Sequence, residues 1–375
     1  MLIRPIAHKD LDALQQIAVE SGPGFTSLVN DRDFLQRKIQ RSLDSFARDV
    51  STPGAENYLF VLEDRDTGEV MGTTGIEASA GLHAPLYHYH NSQVVHHSPD
   101  LGVFRRSEVL NLSNHYTGCT EVCTLFLRPQ HRRAHAGKLL SKVRFLFMAQ
   151  HPERFADTVI AEMRGVSSDD GRSPFWDWFR THFVDLDFPT VTAMVGAGDN
   201  RFIAELMPKH PLYTQLLSPE ARAVIGRVHE QTRPALRLLE AEGFRHKGYI
   251  DPFDGGPTVE AERDRIHSVA SSRLCPVEAM HADTPWFNRE QLEARGNVYL
   301  IANTGTADFR ATVTDQALYL PQHDCLQVPA SVLSTVGVGE GGVVRCVQIG
   351  NAQRQVASEP LAVAHPTHSE SLYAR

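Results

Sequence analysis

The chain has 375 residues, 42% apolar and 22% charged, with a formal net charge of −8, which leaves room for two domains with proper cores and argues against nucleic-acid binding through a general basic excess. No run approaches the ~20 apolar residues of a membrane helix, and the opening Met1-Leu-Ile-Arg-Pro5 has no signal-peptide apolar region, so the expected location is the cytoplasm, with no membrane partner. Cys119, Cys123, Cys275, Cys325 and Cys346 form no Cys-x-x-Cys pair and fit a reducing compartment, while His88, His90, His96 and His97 lack acidic or cysteine ligands at zinc-like spacing, so no metal is expected.

Leu2 to Pro5 reads as a short strand, and Asp10 to Val19 as a helix with the apolar stripe Leu11, Leu14, Ile17 and Ala18. A second helix is expected near Asp31 to Ala47. Tyr58 to Glu63 and Val70 to Ile76 read as two strands of an antiparallel hairpin about the Asp- and Gly-rich turn Asp64 to Gly68. Glu77 to Thr120 is aromatic and histidine-rich and takes no assignment.

Val122 to Leu127 has the pattern of a buried strand, closed by Arg128-Pro129 because proline cannot pair in a central strand. Leu139, Leu140, Val143, Leu146 and Phe147 then recur at helical spacing, which puts free backbone N–H groups near Ala136 to Lys138 at a helix N-terminus. Such an end stabilises an anion by about 0.3–1 kcal/mol at exposed sites, and Arg132, Arg133 and Lys138 add charge beside it. This order resembles the pyrophosphate loop of acyl-CoA N-acyltransferases of the GNAT superfamily, Arg/Gln-x-x-Gly-x-Gly/Ala. Arg132 and Gly137 match; His135 takes the first glycine position, which predicts a less extreme backbone dihedral there. A basic solvated turn is the alternative reading.

Thr158 to Arg164 reads as a buried strand, and Gly171 to Phe179 as a turn entering a helix at Pro174. Phe202 to Pro208 is helix or loop, and Ser218 to Gly226 begins a helix. Thr232 is the expected cap of a helix with Pro234 in its first turn, Ala235, Leu236, Leu238, Leu239 and Ala241 on its buried face, and Gly243-Phe244 as a left-handed stop. Tyr249-Ile250 is expected to start the last strand of this unit. From Leu274 the chain turns to short alternating segments, Val298 to Ala302, Phe309 to Val313, Ala317 to Leu320 and Gly342 to Ile349. The expected organisation is a domain over 1–265 with an insertion at roughly 165–225, a small all-β subdomain over 274–350 and a polar, disordered tail over 351–375.

Longer words carry a more specific resemblance. Ile3-Arg-Pro5, Phe60-Val-Leu-Glu-Asp64, Cys123-Thr-Leu-Phe-Leu127, Ala161-Glu-Met-Arg-Gly165, Ser173-Pro-Phe-Trp176, Ala204-Glu-Leu-Met-Pro-Lys-His-Pro211, Val228-His229 and Tyr249-Ile-Asp251 through Phe253-Asp-Gly-Gly-Pro-Thr258 resemble the arginine N-succinyltransferases, including the alpha chain of arginine/ornithine succinyltransferase, of bacterial arginine catabolism. The resemblance implies an α+β, GNAT-like fold, a mixed sheet flanked by helices with a large insertion and an extra C-terminal all-β subdomain. It implies transfer of succinyl from succinyl-CoA to the α-amine of L-arginine, giving N2-succinyl-L-arginine and CoA, the first step of the arginine succinyltransferase pathway. No tightly bound cofactor is implied. Multimers are, either homo-oligomers or heteromers with a related subunit. Residue by residue it places the succinyl-CoA contact at Leu125 and the catalytic proton donor at His229. The chain departs from the family pattern at Glu230, where proline is usual, and at Pro252, where isoleucine is usual.

The chemistry suits these assignments. A placed histidine, with an unperturbed pKa near 6.5, typically contributes ~10²–10⁴-fold to a proton transfer. Leu125 has no reactive side chain, so its role falls to backbone N–H or C=O against the pantetheine arm or the thioester carbonyl. Arg132, Gly137 and Lys138 are the pyrophosphate candidates. Glu162, Glu205, Asp251 and Asp254 are candidates for the guanidinium, and Arg164 and Lys209 for the succinyl carboxylate. Two alternatives stay open: an acyltransferase acting on ornithine or another amine, and an acyl-CoA-binding subunit that needs a partner chain.

Overall fold

In a computed structural model of the chain, residues 1–22, 25–168, 171–196, 198, 200–280 and 297–351 are described. Strand β1 (Leu2–Pro5) leads into α1 (Leu11–Ser21) and α2 (Arg32–Ala47). Asp31 caps α2, its carboxylate accepting from Phe34 N at 2.6 Å, which satisfies a donor the first helical turn leaves open. Strands β2 (Asn57–Glu63), β3 (Val70–Glu77), β4 (His88–Ser98), β5 (Val103–Ser113) and β6 (Thr120–Leu127) follow, then α3 (Ala136–Gln150) and β7 (Thr158–Glu162). The stretch from Glu77 to Thr120, unassigned from sequence, is largely the long antiparallel ribbon β4–β5.

Four helices and a short strand come next: α4 (Pro174–His182), α5 (Phe188–Gly196), α6 (Arg201–Leu206), β8 (Leu212–Tyr213) and α7 (Pro219–Val224). The serines before α4 and α7 cap them, Ser173 accepting from Trp176 N and Ser218 from Ala221 N. Then come α8 (Arg233–Ala241), β9 (Arg245–Ile250), β10 (Pro257–Glu262) and α9 (His267–Ser271). Thr232 stands at the N-cap of α8, but a 3-10 turn precedes it and its hydroxyl makes no cap bond. Gly243, at φ 101°, stops the helix as expected, with Phe244 N bonding back to Leu239 O. Tyr249-Ile250 ends β9 rather than starting a strand, and β10 continues the sheet beyond it.

The C-terminal segment holds β11 (Arg273–Ala279), β12 (Asn297–Ala302), β13 (Ala311–Thr314), β14 (Leu318–Leu320), β15 (Cys325–Val328), α10 (Ala330–Val336) and β16 (Val343–Asn351). Its strands continue the sheet of the first part, since β13 pairs with β1 at Ile3↔Ala311. Of the tail expected over 351–375, Asn351 ends β16 and the remainder lies outside the described residues. Among the described residues the sixteen strands run β14-β15-β11-β16-β12-β13-β1-β2-β3-β6-β7-β10-β9-β4-β5-β8. The fold is α+β, a mixed sheet with helices and a C-terminal β region; two strand pairs are parallel, β6–β7 and β11–β15.

Alternation along β2 shows how the layers form. Tyr58, Phe60 and Leu62 pack with α3 through Leu139, Leu140, Val143 and Phe147, whereas Leu59 and Val61 pack with Leu14, Ile17, Leu35 and Ile39 of α1 and α2. A period of two therefore buries both faces. The α3 core also contains Val298, Leu300, Phe309 and Val347, so the C-terminal strands share it. No described helix is long and apolar enough to cross a membrane.

Candidate active site

The central feature is a parting of strands. β6 and β7 pair only at Thr120↔Val159 and Glu121↔Ile160, so the rest of β6 has no β7 neighbour. On its other edge the ladder to β3 is also interrupted: Gly75 pairs with Cys123 and Thr73 with Phe126, leaving Thr124 and Leu125 opposite Thr74 alone. Thr124 has φ 54°, and two residues against one with a left-handed residue define a bulge, which unpairs backbone and re-aims the strand. Glycines in β3 make room for it. A Cβ on Gly72 would lie 2.4 Å from Phe126 O, and one on Gly75 would touch Thr124 at 3.4 Å. Leu125 thus sits inside a bulge on the unpaired stretch of β6.

Beyond β6 the chain turns into α3 through His135, at φ 66° and ψ −11°. The histidine at the glycine position therefore adopts the left-handed conformation that glycine would supply, contrary to the milder dihedral expected from sequence; His is among the non-glycine residues enriched there. Ala136 N bonds to Arg133 O and Leu139 N to His135 O, which leaves Gly137 and Lys138 N–H without a backbone acceptor among the described residues. Most nearby cations are already neutralised. Arg128 pairs with Glu20 and Glu69, and Arg133 with Asp64; His131 Nε2 also lies 3.0 Å from Glu69. Arg132 and Lys138 have no carboxylate within ion-pair distance among the described residues, and a Cβ on Gly137 would meet open space. Two open N–H groups, two unneutralised cations and a helix N-terminus make an anion cradle.

The opposite wall grows from the end of β7. Val228 bridges Gly165, and His229 N donates to Arg164 O at 2.9 Å. His229 Nδ1 accepts from Gln231 N at 3.2 Å, and an accepting Nδ1 places the ring proton on Nε2. Glu230 is engaged with Arg233 at 2.9 Å. Beneath this wall Asp254 accepts from Gly165 N at 2.6 Å and Gly256 N at 2.7 Å. Burial pushes its pKa up to about 6, against the lowering effect of those amides and of Arg164. A Cβ on Gly165 would stand 2.5 Å from the Asp254 carboxylate, and one on Gly256 2.2 Å from Met163 O, so only glycine fits either position. Asp251 is spent similarly, accepting from Phe253 N at 2.7 Å and Asp254 N at 2.9 Å; burial, then Asp254 and Glu162, raise it well above the usual carboxylate range.

The family model described as arginine N-succinyltransferase beta subunit matches residues 1–268. An arginine N-succinyltransferase of Salmonella schwarzengrund is 43% identical over 95% of this chain and 99% of its own length, and one of Salmonella typhi is 42% identical over the same shares. The chain belongs to the arginine N-succinyltransferase family. Among solved structures, arginine/ornithine succinyltransferase subunit AI from Pseudomonas aeruginosa is similar with a TM-score of 0.82 at 36% identity, over 93% of this chain and 99% of that one.

Within this member of the arginine N-succinyltransferase family, Leu125, Arg132, Gly137 and Lys138 fall along one continuous stretch, bulge to helix N-terminus, and His229 is tied by its backbone to the end of the strand that parts from β6. Arg164 lies in that same wall, hydrogen-bonded to Ser167 Oγ. Of the acidic candidates, Asp251 and Asp254 hold the Asp251-to-Pro257 turn together, Glu205 is exposed on α6, and Glu162 stays at the end of β7. Sequence reasoning missed the bulge and the Gly165–Asp254–Gly256 lock. The glycines at 72 and 75, alone in an otherwise strong strand, were the available signal for the first.

Proposed function

We propose that this chain transfers a succinyl group from succinyl-CoA to the α-amine of L-arginine, with succinyl-CoA as acyl donor rather than a resident cofactor, in the cytoplasm. The observation that carries this is the parting of β6 from β7 at a bulge, with an anion cradle at one end of β6 and His229 tethered to β7. The cradle at Arg132, Gly137 and Lys138 takes the pyrophosphate, and the pantetheine arm enters the gap beside Leu125, where unpaired backbone replaces the missing strand.

In the ternary complex the neutral α-amine attacks the thioester carbonyl. A C–N bond forms, and the oxyanion is stabilised by backbone N–H at the Leu125 bulge. Collapse breaks the C–S bond. The adduct nitrogen gives up its surplus proton to His229 Nδ1, directly or through water, and the imidazolium so formed donates its Nε2 proton to the departing thiolate, whose parent thiol has a pKa of about 8.5, returning the ring to neutral. No acyl-enzyme is involved. A second acceptor, ornithine, is favoured only by the name of the P. aeruginosa relative. Partner chains, whether copies or a related subunit, belong to the same reading. The test is purified protein with succinyl-CoA and each amine, following free thiol: release with L-arginine supports transfer, and release with ornithine alone reassigns the acceptor.

A further inference from the structure

Three carboxylates converge on the sheet face that carries α1 and α2. Asn57 shares its face with Leu59 and Val61, which pack on those helices; it pairs with Glu77, Glu77 with Glu121, and Glu121 with Ile160, two residues before Glu162. Directly paired residues, and residues two apart on a strand, share a face. Glu77 is compensated by Arg41 at 2.9 Å, Lys38 at 3.9 Å and Asn57 Nδ2 at 2.6 Å. Among the described residues, Glu121 has no cation or hydrogen-bond donor within bonding distance, and Glu162 has only His88.

Buried groups beside them point the same way. His88 is fully buried with Nε2 2.8 Å from Glu162 Oε1, yet off the hydrogen-bond line, and neither ring nitrogen has a hydrogen-bond partner among the described residues. Thr258 pairs directly with Glu162 across β10–β7, is fully buried, and its Oγ1 is likewise without a partner. Buried polar groups are normally satisfied, so an excess of carboxylate oxygens together with unpartnered buried polar atoms fits a cationic guest rich in N–H donors. A planar guanidinium, with five donors in a fixed fork, fits it better than a point-like ammonium.

We propose that Glu121, at the last paired step of β6 and β7, and Glu162, two residues beyond that step on the same face of β7, take the guanidinium of the acceptor and set its specificity for L-arginine. Glu121 lies four residues before Leu125, roughly 13 Å along the strand, a span that an extended arginine and the glutamate side chain cover together, so the α-amine reaches the bulge. Asp254 is set aside because backbone amides take both of its carboxylate oxygens, and Asp251 because its Oδ1 already accepts two amides of its own turn. The inference rests on the arginine reading above but makes a separate claim about who binds the side chain.

The experiment compares full-length wild type with Glu121→Gln and Glu162→Gln, using L-arginine and its neutral isostere L-citrulline. Steady-state kinetics are read beside calorimetric titration of each amino acid into the protein saturated with CoA, so that binding is measured without turnover. The expectation for each variant is at least a tenfold rise in KM and Kd for L-arginine, an arginine-over-citrulline preference reduced at least tenfold, and a KM for succinyl-CoA within twofold of wild type. Unchanged arginine affinity, or equal losses for both amino acids, overturns the pocket. Should a Gln variant lose CoA binding as well, Glu121→Asp and Glu162→Asp carry the test: a selective loss of arginine affinity supports the pocket and none overturns it. A wild type that binds arginine through these glutamates without transferring succinyl would retire the proposed activity and leave the pocket standing.

Discussion

His229 has its backbone N–H on Arg164 O and its Nδ1 on Gln231 N, so the ring is held by main chain and presents a protonated Nε2. In the proposed mechanism its removal takes away the proton relay to the leaving thiolate while leaving the proposed anion cradle on α3 intact. We expect His229→Ala to lower kcat at least tenfold with the Kd for CoA nearly unchanged; unaltered turnover would remove His229 from the mechanism. Glu121 makes a prediction of a different kind. Burial, then the charges of Glu162 and Glu77, hold it well above the usual carboxylate range, with Lys38 offsetting in part. A raised carboxyl pKa means the ionised form is disfavoured in the folded state, so this group costs stability above its folded pKa and the cost vanishes below its unfolded value. Glu121→Gln should therefore raise the Tm of the ligand-free protein at pH 8, and the gain should disappear below about pH 4, as followed by thermal melts across pH.

At the scale of elements, β3 and β6 depend on glycine for their approach. The Cβ of an alanine at 72 would stand 2.4 Å from Phe126 O and 3.1 Å from Leu127 Cα, which are backbone atoms and yield little. Gly72→Ala should cost about 1–3 kcal/mol of stability and raise the KM for succinyl-CoA by disturbing the bulge; denaturant titration with kinetics checks both, and a neutral substitution would contradict the tight approach. Much of this level was legible from sequence because its causes are local. The helix starts near Asp31, at Pro174 and at Ser218 and the stop at Gly243 agree with the sequence reading, whereas Thr232, the one cap named from sequence, makes no cap bond, and the caps at Asp31, Ser173 and Ser218 were not named there. The bulge was not legible, since the positive φ of Thr124 follows from how β3 and β6 meet across the sheet. His135 shows the same limit: the motif asks for glycine, and the fold holds a histidine in glycine's conformation. The β4–β5 ribbon escaped because most of its outer half, including Val95, Leu101 and Phe104, is exposed, so no buried face imposes alternation. The acidic pocket was half visible: Glu162 stood among the guanidinium candidates, but its partner Glu121 and the orphaned His88 and Thr258 come together only through strand pairing.

For the molecule as a whole, the C-terminal strands are structurally bound to the part that carries the site. Ile3 pairs with Ala311, and Phe309 packs against Phe60 and Phe147 at ring separations of 5.4 and 5.1 Å, so the core under α3 is built from both parts. A chain ending at Ser272 would expose that shared core, and loss of several buried large side chains at a few kcal/mol each exceeds ordinary domain stability. We expect such a truncation to be insoluble or to melt without a cooperative transition, and the full chain to unfold in one; a folded, CoA-binding 1–272 fragment would contradict this. The integrated sheet serves the site by fixing β6 against β3 on one side while β7, β10 and β9 form the other wall of the gap. The most direct measurement on this arrangement is the reaction itself: purified protein, succinyl-CoA and L-arginine, with free thiol and product identified together. Equal amounts of thiol and N2-succinyl-L-arginine are expected; CoA binding without thiol release on either arginine or ornithine would contradict succinyl transfer by this chain.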